Sequence, residues 1–162
     1  MKLYHGSNLK INHIDLSKSH PNKDFGKAFY LSEDYSQAQE MANFKSVIEG
    51  GAPIVNEFFF DHSLLDSSEL KYLRFQDYSE EWANFVFKNR DTSIQFKHEY
   101  DIVYGPIAND KVGRQIVNLR EGYISFDEFL HRLKFMKGIT FQYAFCTDKA
   151  VSLLKLSQDG AE

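Results

Sequence analysis

The sequence predicts a single α+β domain, and three observations support this prediction. Short apolar stretches with strand-like alternation lie far apart along the chain, and segments with helical spacing lie between them. The interleaving is irregular, unlike the steady alternation of a βαβ series. The chain has 162 residues, of which 43% are hydrophobic, and this is enough to build one core. No repeat or linker divides residues 1–162.

The first part of the chain predicts two short strands and one helix. LYHGS, residues 3–7, alternates like a strand that ends in a glycine turn, and AFYLS, residues 28–32, predicts the second strand. A polar loop joins them. Apolar residues then recur at three- and four-residue steps, which predicts a helix capped by Ser32 or Asp34 and ending at about Val47.

Three longer apolar stretches predict the remaining strands. They cover residues 54–60 (IVNEFFF), residues 101–108 (DIVYGPIA) and residues 139–146 (ITFQYAFC). Each is rich in β-branched and aromatic residues, as strands in a sheet usually are. We therefore expect five strands, widely separated in sequence, to meet in the core.

Helices are predicted between and after these strands. Acidic variants of the capping box begin at Asp66 and Asp77, and each precedes apolar residues at helical spacing. Residues 110–117 predict a short helix, Ser125 caps an amphipathic helix through residue 136, and Thr147 caps a terminal helix that includes residues 151–154. The helices are expected to lie on the periphery of the sheets.

The charge distribution limits the kinds of ligand. The formal net charge is −4 and the isoelectric point is near 5.9, which argues against nucleic-acid binding through bulk electrostatics. Residues 1–27 nevertheless hold five lysines and two acids. This local excess favours an anionic ligand near the N-terminal motifs, although a solvated basic surface would look the same.

Cysteine content and hydropathy suggest where the protein acts. Cys146 is the only cysteine, so the chain can form no intramolecular disulfide and no four-cysteine zinc site. The histidines of the first 20 residues have no common metal-ligand spacing, and we expect no metal. No apolar run is long enough to span a bilayer and no leader precedes the first strand. We therefore expect a cytoplasmic protein without membrane contacts.

Two short motifs could carry chemistry. His5 followed by Gly6 could present an imidazole beside a backbone N–H, since glycine lets a ligand approach the main chain. Tyr30 follows the small residues Gly26 and Ala28, so its ring could stack on a flat heterocycle. Each motif alone is also explained by ordinary structure, a turn glycine in the first case and a core aromatic in the second.

Together the two motifs resemble those of the ADP-ribosyltransferases of the diphtheria-toxin and poly-ADP-ribose-polymerase type. LYHGS resembles the first family motif, and DFGKAFYLSEDYSQAQEMA resembles the second. A small bacterial family of unknown function within the same superfamily looks closer still. The resemblance implies two split antiparallel β-sheets with peripheral helices. It also implies NAD as co-substrate.

The resemblance assigns roles to individual residues. His5 would hydrogen-bond a ribose hydroxyl of NAD, Gly6 would hold the carboxamide of nicotinamide, and Tyr30 would stack on its ring. The full set of implied NAD-binding residues is His5, Gly6, Ser7, Lys27, Tyr30 and Ser36.

The third motif departs from the family pattern. FQYAFCTDKAVSLLKL matches a C-terminal strand that begins with glutamate in the family, and here Gln142 takes the place of that glutamate. A carboxylate at this position would stabilise the positive charge that develops when the nicotinamide–ribose bond breaks. Glutamine keeps the hydrogen bond and loses the charge. The alternative for Gln142 is a polar residue on the exposed face of a strand.

The resemblance therefore implies a mono-ADP-ribosyltransferase, with His5, Tyr30 and Gln142 as its catalytic residues. It would release nicotinamide and transfer one ADP-ribose unit to a protein or nucleic acid, and by analogy it could be a toxin paired with an antitoxin protein. Two alternatives remain open because the glutamate is missing. One is an inactive module that binds NAD or ADP-ribose, and the other is an NAD glycohydrolase.

Overall fold

The strands of the chain are short and lie far apart in sequence. A computed structural model describes residues 1–134, 136 and 138–157. Its strands, in chain order, are β1 (Lys2–Ser7), β2 (Phe29–Leu31), β3 (Ile54–Phe59), β4 (Tyr72–Arg74), β5 (Ile102–Pro106), β6 (Phe141–Phe145) and β7 (Lys155–Leu156). The architecture is α+β, as the sequence predicts.

The strands form two sheets that meet at one bridge. The first sheet has the order β1-β3-β7 and is antiparallel, and the second has the order β2-β6-β5-β4. In the second sheet β4 and β5 pair in parallel and the other pairs are antiparallel, so this sheet is mixed. Tyr4 of β1 and Ser32, just after β2, exchange backbone hydrogen bonds of 2.8 and 2.9 Å. This bridge brings the first two motifs of the sequence side by side.

Side-chain caps fix the starts of several helices. The helices are α1 (Tyr35–Glu49), α2 (Glu80–Arg90), α3 (Asp110–Arg120), α4 (Phe126–Lys134) and α5 (Asp148–Val151), and single 3-10 turns cover Leu16–Lys18 and His62–Asp66. The Asp34 carboxylate accepts from the Ser36 amide at the start of α1, and the Thr147 hydroxyl accepts from the Ala150 amide in α5. Both caps agree with the sequence prediction. Over the part of the chain that the structure describes, none of the helices combines the length and apolar character needed to cross a bilayer.

Two buried clusters hold the sheets and helices together. One packs α2, α3 and α4 against the second sheet, and the other lies between the two sheets. Trp82 is fully buried in the first cluster, and its indole N–H donates to the carbonyl of Pro106 at the end of β5, at 3.1 Å. That bond ties α2 to the sheet and satisfies the only polar atom of the indole.

Three predictions about elements are wrong. The capping box at Asp66 starts no helix, because Asp66 ends a 3-10 turn and the chain then continues into β4. The helix predicted from the box at Asp77 forms, but its cap is Ser79, whose hydroxyl accepts from the Trp82 amide. The terminal helix ends at Val151, and the chain then adds β7 to the first sheet. In each case pairing with a distant strand, or a nearer cap, overrides the local signal.

Candidate functional site

Four of the seven predicted site residues line one cleft of about 570 Å³. They are His5, Gly6, Tyr30 and Gln142. The walls come from β1, β2, β6, α1, the loop before β2, Arg90 at the end of α2 and Ile107 just after β5. This volume lies within the range of clefts that bind cofactors and other small molecules.

Strand register explains why residues so distant in sequence meet here. The bridge between Tyr4 and Ser32 is antiparallel and sets His5 opposite the end of β2. In the second sheet Tyr30 pairs directly with Ala144, so the two side chains share a face of the sheet. Gln142 lies two residues before Ala144 on the same strand and therefore points to that face. The second and third sequence motifs thus face the same space.

The His5 imidazole is neutral and its tautomer is fixed. Its Nδ1 lies 2.7 Å from the backbone carbonyl oxygen of Tyr30. Since a carbonyl oxygen only accepts, Nδ1 carries the proton and Nε2 is left as an acceptor. Burial lowers the pKa of His5 to about 4, and the nearby Lys45 ammonium adds to this effect. A hydroxyl group in the cleft could donate to Nε2.

The Tyr30 phenol is held in place at its hydroxyl end. The hydroxyl donates to the Gly26 carbonyl at 2.7 Å and accepts from the Phe25 amide at 3.0 Å. Burial raises the pKa of Tyr30 well above its usual value, so the phenol stays neutral. The Lys23 ammonium lies over the ring, 5.5 Å from its centroid. The Tyr30 ring is therefore held in one position, and the Lys23 ammonium already lies over one of its faces.

The packing of β1 against α1 requires a glycine at position 6, in addition to the ligand contact that the sequence motif predicts. A methyl group at this position would overlap the backbone carbonyl oxygen of Ala38 and would lie 2.7 Å from the amide nitrogen of Ala42. Both atoms belong to α1. The glycine therefore lets β1 lie directly against α1, and this contact forms one wall of the cleft.

Gln142 belongs to a buried network that the sequence analysis did not predict. Its side-chain amide Nε2 donates to Oδ2 of Asp24 at 3.2 Å. The Ala108 amide donates to the same oxygen at 2.9 Å, and Nε of Arg90 donates to Oδ1 at 2.7 Å. Asp24 is only 7% exposed, and both Asp24 and Arg90 line the cleft. The sequence contains one weak signal for this role of Asp24, which is its position as an acid at the start of the second motif.

Three cationic side chains give the cleft a positive character. They are Lys23, Lys45 and Arg90, and Asp24 is the one acid among the described residues that line the cleft. Arg90 is paired with Asp24, so the two lysines remain as excess charge. Burial, followed by repulsion from Lys23, lowers the pKa of Lys45. An anionic ligand in the cleft would relieve this repulsion.

Three predicted binding residues do not line the cleft. The Ser36 hydroxyl donates to Asp34 at 2.6 Å on the exposed start of α1. Ser7 is buried, and its hydroxyl accepts from the Leu9 amide at 3.2 Å. Lys27 is exposed. The serine that does line the cleft is Ser32, four residues before Ser36, and its hydroxyl donates to Gln37.

No group of His, Cys, Asp and Glu side chains that could hold a metal ion occurs among residues 1–134, 136 and 138–157.

The groups that face the cleft are a neutral imidazole, an aromatic ring, an oriented amide and an excess of positive charge. Such a set can bind a ligand that combines hydroxyl groups, a flat ring and phosphate.

The fold and the cleft define an α+β protein with a basic, aromatic-walled pocket between its two sheets. The chain belongs to a family described as protein of unknown function, DUF3990, whose model matches residues 1–156. The match spans both sheets and every side chain of the cleft. No curated protein and no solved structure matches the chain.

Proposed function

We propose that the protein is an NAD-dependent mono-ADP-ribosyltransferase. The observation that carries this proposal is the convergence of His5, Tyr30 and Gln142 on one cleft of suitable size. These residues come from three motifs spread over more than 100 positions of the sequence, and the resemblance to ADP-ribosyltransferases assigns each of them to NAD. Their convergence is what that resemblance requires.

The cleft chemistry matches the parts of NAD. The neutral Nε2 of His5 accepts from a ribose hydroxyl, since Nδ1 is already bound to the Tyr30 carbonyl. The Tyr30 ring stacks on nicotinamide, which needs the Lys23 ammonium to move aside. Lys23 and Lys45 then pair with the phosphates. Every contact uses a group that lines the cleft.

The reaction breaks the bond between the nicotinamide nitrogen and the ribose carbon. The electron pair of that bond leaves with nicotinamide, and the ribose carbon takes up an oxocarbenium-like charge. Gln142 accepts a hydrogen bond from a ribose hydroxyl and holds the sugar for attack by a nucleophile of a protein or nucleic acid. The nucleophile supplies the electron pair of the new bond to the ribose carbon and releases its proton to solvent.

Binding and nicotinamide release test the proposal. Calorimetry with NAD, followed by chromatographic detection of nicotinamide, is carried out on the wild type, Tyr30→Ala, Gln142→Ala and Tyr123→Ala. Tyr123 is 76% exposed and outside the cleft, so its variant controls for the loss of a tyrosine. We expect Tyr30→Ala to weaken NAD binding and Gln142→Ala to slow release, with Tyr123→Ala unchanged. Equal behaviour of all four proteins would contradict the proposal.

A second candidate is a module that binds NAD or ADP-ribose without chemistry. The uncharged side chain of Gln142 favours it, because transfer enzymes usually stabilise the ribosyl cation with a charge. The same experiment separates the candidates: binding without nicotinamide release supports the module. Release without any labelled acceptor in a cell lysate supports an NAD glycohydrolase instead.

A further inference from the structure

We infer that Asp24 is a positioning residue that holds the Gln142 amide with its Oε1 free to accept a hydrogen bond from the ribose. This inference rests on the proposed function and extends it to a residue that no motif assigned. It also accounts for the glutamine at position 142. The supporting observations are hydrogen bonds and burial within the cleft.

Asp24 is a buried carboxylate with a full set of donors. Oδ1 accepts from Arg90, and Oδ2 accepts from both the Ala108 amide and the Gln142 amide. The residue is 7% exposed. Its charge is paired with the Arg90 guanidinium, so the carboxylate is fixed in place and can hold the groups that donate to it.

The carboxylate fixes the orientation of the Gln142 amide. A carboxylate ion only accepts hydrogen bonds, so Gln142 must turn Nε2 toward Asp24. Its Oε1 is then the atom left to accept from a ribose hydroxyl. Donation from Nε2 to a charged oxygen also moves electron density toward Oε1, which makes it a stronger acceptor. Asp24 thus acts on the ribose through the orientation of this amide.

The same contact explains why a glutamate would not suit position 142. A carboxylate in place of the amide would lie close to Oδ2 of Asp24, at the position from which Nε2 now donates over 3.2 Å. Two carboxylates that close cannot both be ionised, and one of them would have to keep a proton. With Asp24 in the network, an amide is the side chain that can both donate to it and accept from the substrate.

Asp24 forms and breaks no covalent bond in the reaction. The ribose–nicotinamide bond breaks with its electron pair going to nicotinamide, and the acceptor supplies the electron pair of the new bond. The proton lost is the acceptor's own, and it goes to solvent. Asp24 takes no proton, and Gln142 keeps both amide hydrogens.

Exchanging the two side chains tests the inference. Nicotinamide release is measured as a function of NAD concentration and pH for the wild type, Asp24→Asn, Gln142→Glu, Gln142→Ala and the double variant Asp24→Asn with Gln142→Glu. Asp101→Asn is the matched control, since Asp101 is also a buried aspartate (8% exposed) but does not line the cleft. Unfolding curves show that each protein is folded.

The two single exchanges have different expected signatures. Asp24→Asn lowers kcat at least about tenfold with little change in KM, because the orienting charge is lost. Gln142→Glu is no faster than Gln142→Ala at about pH 8, and its activity falls as the pH rises because the second carboxylate ionises. The double variant recovers a rate above either single exchange, since the carboxylate now stands at the ribose and the amide introduced at position 24 can donate to it. Asp101→Asn keeps the wild-type kcat.

The inference and the proposed function fail in different ways. A wild-type protein that binds NAD and releases no nicotinamide overturns the proposed function, and the role of Asp24 in release with it. A wild type that releases nicotinamide, together with a Gln142→Glu variant faster than it or an Asp24→Asn variant with unchanged kcat, overturns the role of Asp24 alone. Because Gln142→Glu leaves the pair of Asp24 and Arg90 in place, this comparison holds even where Asp24→Asn does not fold.

Discussion

Two buried aspartates, Asp24 and Asp101, show how the same side chain serves different purposes in this molecule. Asp101 accepts from the Lys71 amide at 2.9 Å and from the Thr147 hydroxyl at 2.7 Å, both of them uncharged donors. Asp24 accepts from a charged guanidinium and from the Gln142 amide. Asp101 thus ties together segments of the fold, whereas Asp24 holds a polar side chain toward an open cleft. In this molecule the buried aspartate that pairs with a cation lines the cleft, and the buried aspartate whose carboxylate accepts from neutral donors lies outside it.

The largest expected effect comes from removing the cation beside Asp24. Arg90→Met leaves that carboxylate buried without its counter-ion, and we expect the free energy of unfolding to fall by about 3–5 kcal/mol. Lys71→Met is the matched change at Asp101. It keeps the backbone donor and removes an exposed ion pair with Glu99 and a weak attraction to Asp101, a loss of about 0–1 kcal/mol. Urea unfolding measures both, and equal losses would contradict the comparison.

The cleft and the region around Asp101 should lose stability in different pH intervals. The pKa of His5 in the cleft is lowered from 6.5 to about 4, so the unfolded chain binds more protons than the folded one across this interval. Stability therefore falls as the pH drops from 6.5 toward 4, by up to about 3 kcal/mol. The difference between the unfolding curves of the wild type and His5→Gln isolates this contribution. A difference that does not change with pH would contradict the neutral, buried imidazole.

Asp101 should lose its contribution in a more acidic interval. Burial alone would raise its pKa, but the hydrogen bonds from the Lys71 amide and the Thr147 hydroxyl, together with the nearby ammonium groups of Lys149 and Lys71, outweigh this and lower the pKa below 3.8. The stabilisation is then complete above about pH 4 and is lost as the pH falls through the folded value. The Asp101→Asn variant should lack this acid step while keeping the step that His5 produces between pH 6.5 and about 4.

A smaller effect is expected at the hydroxyl that binds Asp101. Thr147→Val removes that donor and the cap of α5, and we expect a loss of about 1–3 kcal/mol. The affinity for NAD measured by calorimetry should stay the same, because Thr147 does not line the cleft. A change in NAD affinity would show that the Asp101 region also shapes the site.

The smallest effect concerns lysines that lie over aromatic rings. Lys23 lies 5.5 Å from the Tyr30 ring centroid and Lys88 lies 5.8 Å from that of Phe96. Replacing either lysine by methionine should change stability by less than about 1 kcal/mol. Of the two variants, Lys23→Met alone should weaken NAD binding and reduce its salt dependence, since Lys23 lines the cleft and Lys88 does not. Isothermal titration at two salt concentrations checks this.

The sequence predicts the fold best where strands are long or carry a motif. The strands with His5, Tyr30 and Gln142 form as expected, and their pairing brings the three residues to one cleft. The strands β4 and β7 are missed because they have three and two residues. Neither has a local pattern of its own, and both exist through pairing with a distant strand.

The site is only partly predictable for a similar reason. Asp24 is buried by partners 66, 84 and 118 positions away, and no local pattern records such contacts. Ser36 shows the opposite failure. Its motif position suggests NAD, but the Asp34 cap turns its hydroxyl back toward the start of α1. Motifs identify residues by spacing, whereas burial and capping decide where their side chains go.

The single tryptophan gives the protein a built-in optical signal. Trp82 is fully buried with its indole bonded to Pro106, and the next residue, Ile107, is part of the cleft wall. We expect a molecule that binds beside Ile107 to change the surroundings of that hydrogen bond and therefore the emission of the only tryptophan. Label-free fluorescence can therefore screen candidate compounds even before any acceptor is identified.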